Sequence, residues 1–143
     1  MKIAICGSLK FTNEFKKISD ELEDLGFEVE IPLSSRRIWN GDFSVEEIEK
    51  EKAEGSFHKK AIRFDSFRAY WDIIQNADAI LVVNLDKNNI KNYIGGNTFL
   101  EMGFAHILKK KIFLLNEIPE MLYSEEIKVM QPVVLGGDLE KII

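Results

Sequence analysis

The sequence of 143 residues has very few of the side chains that ligate metals or form cross-links. It contains one cysteine, Cys6, and two histidines, His58 and His106. A single cysteine forms no internal disulfide and no multi-thiolate zinc site, and two histidines this far apart match no metal-ligand spacing. We therefore expect a fold that depends on neither a metal ion nor a disulfide, and no cofactor is implied.

Long hydrophobic runs and an excess of basic charge are also missing. The longest apolar run, residues 79–83, is far shorter than the roughly 20 residues of a membrane span, and residues 1–5 have a strand pattern with no signal-peptide core. Acidic side chains outnumber basic ones by 24 to 19, which argues against binding along a nucleic-acid polymer. We expect a cytoplasmic protein with no membrane partner.

Apolar runs alternate with helical patterns along the whole chain. Strands are predicted at residues 2–6, 27–31, 79–84, 111–116 and 132–135. One helix is predicted at residues 13–25. A second should end near Asn76, and a third should end at Lys109 and Lys110. This alternation is typical of βαβ units. It predicts one domain over residues 1–143, a doubly wound α/β sandwich of three layers. Its five-stranded, mainly parallel sheet would have the flavodoxin-like or Rossmann-like order 2-1-3-4-5.

A charged stretch, residues 34–60, interrupts this rhythm. Ser44 and Glu47 have the spacing of a capping box, which predicts a short polar helix. One interpretation is a solvated surface excursion. The other is a mobile lid that brings cations and aromatic side chains to a bound anion. Its residues would be Arg36, Arg37, Trp39, Phe57, His58, Lys59 and Lys60.

Ligands of open parallel sheets bind at the carboxyl ends of the strands. Gly7 and Ser8 follow the first strand, Asn84 ends the third and Asn116 ends the fourth. Ser8 and the amides after it would hold a phosphate beside the first helix, or Ser8 would only cap a tight turn. The sequence has no G-x-G-x-x-G or P-loop motif, and Cys6 begins no C-x5-R phosphatase loop, so we expect Cys6 to be a buried strand-end residue.

Residues 95–105, GGNTFLEMGFA, form the most informative stretch. After the double glycine the pattern predicts a helix that is apolar almost all round, with Glu101 as its lone carboxylate. One interpretation is structural, because Thr98 and Glu101 have the spacing of a capping box. The other is functional: a carboxylate in the first turn of this helix would point into the crevice and stay ionised through the helix dipole.

Three segments together resemble a known family. They are ICGS at residues 5–8, QNADAILVV at residues 75–83, and the turn and helix at residues 96–105 with the core LEMGFA. They look like the nucleoside 2-deoxyribosyltransferase superfamily, which includes 2'-deoxynucleoside 5'-phosphate N-hydrolases. The similarity spans most of the chain apart from residues 34–60. It implies cleavage of the N-glycosidic bond of a (deoxy)nucleoside or its 5'-monophosphate, by hydrolysis or by transfer.

The resemblance also implies site residues. Glu101 matches the glutamate that attacks the anomeric carbon in the family. The family's proton-donating aspartate is replaced by Tyr70, with Asp72 two residues on, so both are candidates for protonating the leaving base. The family's phosphate-binding serine is replaced by Gly95. The substrate-binding residues are expected to be Gly7, Ser8, Asn84, Gly95, Gly96, Asn97 and Thr98.

The resemblance implies a homodimer or higher homo-oligomer, and the helix over residues 99–108 would independently need a second covering surface. Two other functions stay open. A non-catalytic nucleotide-binding or sensing module is favoured by the missing carboxylate at Tyr70. A scaffold would bind a protein partner through residues 34–60.

Overall fold

The computed structural model describes every residue from Met1 to Ile143 and contains one five-stranded sheet. Its strands are β1 (Lys2–Cys6), β2 (Glu28–Glu30), β3 (Ala79–Val82), β4 (Lys111–Leu114) and β5 (Val133–Val134). All neighbouring strands are parallel, and their order is β2-β1-β3-β4-β5. The predicted strand order is therefore confirmed.

Seven α-helices connect or follow these strands. They are α1 (Thr12–Asp24), α2 (Leu33–Trp39), α3 (Val45–Glu54), α4 (Phe57–Arg63), α5 (Ser66–Asn76), α6 (Gly96–Ile107) and α7 (Ser124–Val129). Two 3-10 turns, Leu9–Phe11 and Leu139–Lys141, complete the chain. None of the helices has the length and apolarity that crossing a bilayer requires.

The sheet is covered on both faces because its strand side chains alternate between them. Ile3 and Ile5 of β1 pack in a cluster with Phe15 and Leu22 of α1. The opposite face buries a second cluster, to which α5, α6 and α7 contribute. Its members from β1 and from these helices include Ala4, Cys6, Tyr70, Ile74, Met102, Ala105 and Ile127. Two hydrophobic layers on one parallel sheet confirm the doubly wound sandwich of three layers.

Residues 33–63, which we call the helical segment, contain α2, α3 and α4. The predicted helix after Ser44 is confirmed, because the Ser44 hydroxyl oxygen accepts a hydrogen bond from the Glu47 amide at 3.1 Å. Thr12 at the start of α1 and Ser35 of α2 share a buried hydrogen bond of 3.0 Å. Ile48 of α3 is fully buried. The helical segment is therefore packed against the sheet layers and is not a solvated loop.

Candidate active site

A pocket of about 300 Å³ lies at the carboxyl edge of the sheet, where the loops after β1 and β3 meet the start of α6. This is the point at which the strand order reverses, between β1 and β3. Its volume is at the lower end of the range for small-molecule sites, about 300–1,000 Å³. The pocket lining includes eight residues predicted from the sequence: Gly7, Ser8, Tyr70, Gly95, Gly96, Asn97, Thr98 and Glu101.

Two glycines let the backbone line this pocket closely. A Cβ at Gly7 would lie 3.0 Å from the Phe15 ring and 3.0 Å from the Val83 carbonyl oxygen. A Cβ at Gly95 would lie 3.1 Å from the Tyr93 ring. Either side chain would push its neighbours away by a few tenths of an ångström, because these contacts are tighter than nine in ten real Cβ contacts. At both positions the backbone itself therefore forms part of the pocket surface.

Ser8 caps the 3-10 turn Leu9–Phe11, and its hydroxyl oxygen accepts a 3.3 Å hydrogen bond from the Lys10 amide. The same oxygen accepts a 2.9 Å hydrogen bond from the ammonium group of Lys87. Ser8 is thus both a cap and a pocket residue, and its own hydroxyl proton is free to be donated to a ligand.

Glu101 is the only carboxylate that lines the pocket. Burial raises its pKa to about 8, and the neighbouring Cys6 thiol lowers it by a smaller amount. The prediction that the helix dipole keeps this group ionised is therefore wrong. Glu101 is the sixth residue of α6, and the dipole effect fades beyond the first turn, so burial dominates.

The capping-box interpretation of Thr98 and Glu101 is also wrong. The N-cap of α6 is Gly95, which has no side chain to cap the helix, and Thr98 lies inside the first turn. The first amides of α6, at Gly96 and Asn97, therefore have no side-chain acceptor and lie at the pocket surface. These N–H groups are available to oxygen atoms of a ligand.

Tyr70 lies at the bottom of the pocket and is 4% exposed. Its hydroxyl donates a short hydrogen bond to the carbonyl oxygen of Ile5 in β1. Burial raises the pKa of Tyr70 well above its usual value, and the nearby Cys6 and Glu101 raise it further. The expectation that Tyr70 protonates the leaving base is not supported, because its one phenolic proton is donated to the β1 backbone.

Two predicted residues do not line the pocket. Asp72 is exposed on α5, away from the pocket, which corrects its assignment as the acid. Asn84 is fully buried, and its amide group donates to the Asn116 and Glu117 carbonyl oxygens at 3.1 and 3.0 Å. Its side-chain oxygen accepts from the Asn116 amide at 2.9 Å. Asn84 therefore joins the loops after β3 and β4, and its assignment to substrate binding is corrected as well.

The helical segment forms the outer wall of the pocket. It contributes Arg37, Lys52, Phe57 and Ala61, and Phe64 and Phe67, which follow the segment in the chain, continue the same surface. The Arg37 guanidinium lies 4.0 Å above the centre of the Phe64 ring. The interpretation of residues 34–60 as a surface excursion alone is therefore wrong, whereas the movement of a lid stays a prediction.

Other residues proposed for that lid lie elsewhere. His58 and Lys59 are exposed, and neither lines the pocket. Arg36 pairs with Glu30 at 3.2 Å, and Lys60 pairs with Glu51 at 2.9 Å. Trp39 is 37% exposed and also lies outside the pocket lining.

Lys87 and Lys52 were missed by the sequence reasoning. Lys87 lies in the loop between β3 and α6, where no recognised motif draws attention to it. A usable signal was present: Asn88-Asn89, directly after it, is a dipeptide suited to positive φ angles. In the structure both asparagines have positive φ, 53° and 60°, and Lys87 and Ile90 exchange backbone hydrogen bonds across them. This two-residue turn directs the lysine to the pocket.

The charged groups of the pocket suit an anion. Its lining holds three cationic side chains, Arg37, Lys52 and Lys87, against the single carboxyl of Glu101. Glu101 itself is roughly nine-tenths protonated at pH 7 with a pKa of about 8. The structure gathers no group of three or more His, Cys, Asp or Glu side chains of the kind that holds a metal ion.

Comparisons with known protein families and with curated proteins find no match to this sequence. Among solved structures, the chain is similar to the Clostridium botulinum CMP N-glycosidase BcmB, with a TM-score of 0.50 and 13% sequence identity. The alignment covers 94% of this chain and 85% of that chain. At this identity the similarity shows a shared α/β fold over nearly the whole length.

Proposed function

We propose that this protein cleaves the N-glycosidic bond of a nucleoside or its 5'-monophosphate, with Glu101 as the nucleophile. The observation that carries the proposal is the position of Glu101 as the only carboxylate in the pocket at the switch point of the sheet. The CMP N-glycosidase with the same fold supports the class of reaction. The resemblance of residues 5–8, 75–83 and 96–105 to the deoxyribosyltransferase superfamily supports the role of Glu101.

The chemistry follows from one carboxylate beside the sugar. Glu101 in its ionised form attacks the anomeric carbon, the C–N bond breaks, and its electron pair leaves with the base. The carboxylate stabilises the positive charge that develops on the sugar ring and then holds the sugar as an ester. Water hydrolyses the ester. We favour hydrolysis over transfer, because Gly7 and Ser8 offer a phosphate site. The leaving base takes its proton from water, since no second carboxylate lines the pocket.

The raised pKa of Glu101 is compatible with this role. Only about a tenth of the molecules carry an ionised Glu101 at pH 7, so the reaction rate should increase with pH up to about 8. The carboxylate that does form is half-buried in the pocket wall and is therefore poorly solvated. It therefore interacts strongly with a developing positive charge.

The remaining pocket surface matches the other parts of such a substrate. Phe57, Phe64 and Phe67 provide aromatic faces suited to a nucleobase. The free amides of Gly96 and Asn97 suit hydroxyl or phosphate oxygens. No metal ion takes part in the proposed reaction.

The proposed assembly is a homodimer. A second, apolar depression lies on the outer face of α6, where Leu100 and Ile107 are 46% and 75% exposed. Its lining residues are Trp71, Phe99, Leu100, Gly103, Phe104, Ile107 and Met130. Burial of this surface between two copies would cover both faces of α6. Light scattering after size-exclusion chromatography measures the mass directly, and a monomer at all concentrations would refute the dimer.

The test of the function is incubation with a panel of nucleosides and 5'-monophosphates, with chromatographic detection of free base. We expect base release by the wild type and none by Glu101→Gln. A competing function, a non-catalytic nucleotide-binding module, is favoured by the position of Asp72 outside the pocket. Ligand binding without base release in the wild type would select that function and refute ours.

A further inference from the structure

We propose that Lys87, Lys52 and Ser8 form a phosphate-binding site at one end of the pocket, and that this site selects phosphorylated substrates over free nucleosides. The selection rests on the proposed function, because it concerns the substrates of that reaction. The anion site itself rests only on the geometry of these side chains. We call Lys87, Lys52 and Ser8 the lysine site.

Lys87 has the features of a ligand-binding lysine. Its side chain is 6% exposed, although lysine is rarely buried without a specific partner. Its ammonium group donates to Ser8 at 2.9 Å and to Glu49 at 3.3 Å. An ammonium group has three N–H donors, so one donor remains for a ligand in the pocket that Lys87 lines.

The position of Lys87 is fixed before any ligand arrives. The turn at Asn88-Asn89 closes with two backbone hydrogen bonds, of 3.1 and 2.9 Å, between Lys87 and Ile90. The Tyr93 amide donates to the Leu85 carbonyl oxygen at 2.8 Å and closes the loop around this turn. A cation held in this way loses little conformational entropy when it binds an anion.

Lys52 adds a second cation from the opposite wall. Glu49 and Lys52 are three residues apart on α3, so they share the helix face that meets Lys87. Lys52 lines the pocket and has no carboxylate within salt-bridge distance, and its ammonium lies 5.2 Å from the centre of the Phe57 ring. Burial lowers the pKa of Lys52 and repulsion by Lys87 lowers it further, whereas attraction to Glu49 raises it by a smaller amount.

The charges of this cluster do not balance within the protein. Lys87 and Lys52 bring two ammonium groups to this cluster, and Glu49, which pairs with Lys87, brings one carboxylate. Two ammonium groups gathered in a partly buried pocket repel each other unless an anion joins them. A phosphate has enough oxygen atoms to accept from both lysines and from the Ser8 hydroxyl at once. The lysine site therefore fits a phosphate better than it fits a neutral sugar hydroxyl.

The test uses ribose 5-phosphate and ribose as probes, because they lack a base and require no catalysis. Their affinities are measured by isothermal titration calorimetry for the wild type and for single variants. We expect Lys87→Met and Lys52→Met each to weaken ribose 5-phosphate about tenfold or more, and to leave ribose unchanged. Lys50→Met is the matched control, since Lys50 lies on α3 but its side chain is 75% exposed. It should bind like the wild type.

Glu49→Gln should change the affinity for ribose 5-phosphate in the opposite direction to the lysine variants. Its carboxylate competes for Lys87 and repels the phosphate, so its neutralisation should strengthen the binding of ribose 5-phosphate several-fold. This variant and Lys52→Met remain informative if Lys87→Met fails to fold. Equal binding of the phosphate probe by the wild type, Lys52→Met and Glu49→Gln would overturn the lysine site, as would absence of binding by the wild type.

The two proposals fail in different ways. Tight, lysine-dependent binding of ribose 5-phosphate without any base release would refute the proposed reaction and support the lysine site. Base release at equal rates from nucleosides and monophosphates, unaffected by Lys52→Met, would refute the lysine site and support the reaction.

Discussion

The sheet and the helical segment, residues 33–63, depend on different interactions. The central strands are almost completely buried: all four residues of β3 and the last four of β1 are 0% exposed. The helical segment instead has charge contacts at its surface. They include the ion pairs of Arg36 with Glu30 and Lys60 with Glu51, and Lys60 also lies 4.1 Å from the centre of the Phe43 ring.

This difference has an energetic consequence. Burial of large apolar side chains contributes about 1.5–3 kcal/mol each, whereas partly exposed ion pairs contribute about 0–1 kcal/mol. One oxygen of Glu51 is even buried without a hydrogen-bond partner. We infer that the sheet determines the stability of the fold and that the helical segment, which supplies Arg37 and Lys52, mainly shapes the pocket.

Among the variants proposed here, Glu101→Gln alters the pocket and should have the largest effect, which is on turnover. We expect turnover to fall by a factor of 10³ or more, about 4 kcal/mol, because both the charge and the nucleophile are lost while the shape is kept. Asp72→Asn is the control: Asp72 is exposed on α5 and should be dispensable. Steady-state assays of base release measure both, and loss of activity in Asp72→Asn would restore that residue as the acid.

Leu81→Ala and Leu33→Ala compare the two regions directly. Leu81 of β3 is 0% exposed and Leu33 of α2 is 38% exposed. We expect Leu81→Ala to lower the free energy of unfolding by about 2–5 kcal/mol, through lost burial and a cavity, and Leu33→Ala by about 1 kcal/mol or less. Urea denaturation followed by circular dichroism measures both. Equal losses of unfolding free energy in the two variants would contradict the inference that the sheet determines the stability of the fold.

Glu101→Gln should also stabilise the protein in a pH-dependent way. The folded-state pKa of Glu101, about 8, is above its unfolded value near 4.5, so the wild type loses stability as pH rises through this window. Gln avoids that loss, at roughly 1 kcal/mol per pH unit. We expect the difference between variant and wild type to grow by about 2–3 kcal/mol from pH 5 to pH 7. A constant difference, measured by denaturation at each pH, would show that burial does not raise this pKa.

Tyr70→Phe should have the smallest effect. It removes the hydrogen bond to the Ile5 carbonyl oxygen and keeps the ring, which costs about 1 kcal/mol of stability. Turnover should change less than tenfold, because the hydroxyl is already used by β1. A larger fall in turnover at unchanged stability would mean that the hydroxyl acts on Glu101 or on the substrate.

The strand order and most of the pocket floor were predictable from sequence. Short apolar runs that alternate with helical patterns indicate a parallel sheet, and its carboxyl edge gathers residues such as Gly7, Ser8 and Gly95. The wrong predictions of site residues have physical causes. Residues two apart on a helix point to different sides, so Tyr70 and Asp72 could not both line one pocket.

Other parts of the site depend on tertiary packing, which sequence patterns do not report. The pKa of Glu101 is set by burial among layers from distant parts of the chain. The packing of the helical segment on the pocket depends on contacts such as the buried Thr12 to Ser35 hydrogen bond, 23 residues apart. The turn at residues 88–89 positions Lys87. Its contribution to the site is visible only in the folded structure, where Glu49 of α3 lies opposite Lys87.

The most direct test of Glu101 as a nucleophile is the pH dependence of kcat/KM for base release. The account predicts a rise of about tenfold per pH unit below a pKa of about 8 and a plateau above it, because only the ionised carboxylate attacks the sugar. A value of kcat/KM that falls as pH rises through 8 would contradict the account, since it would show that Glu101 acts in its protonated form.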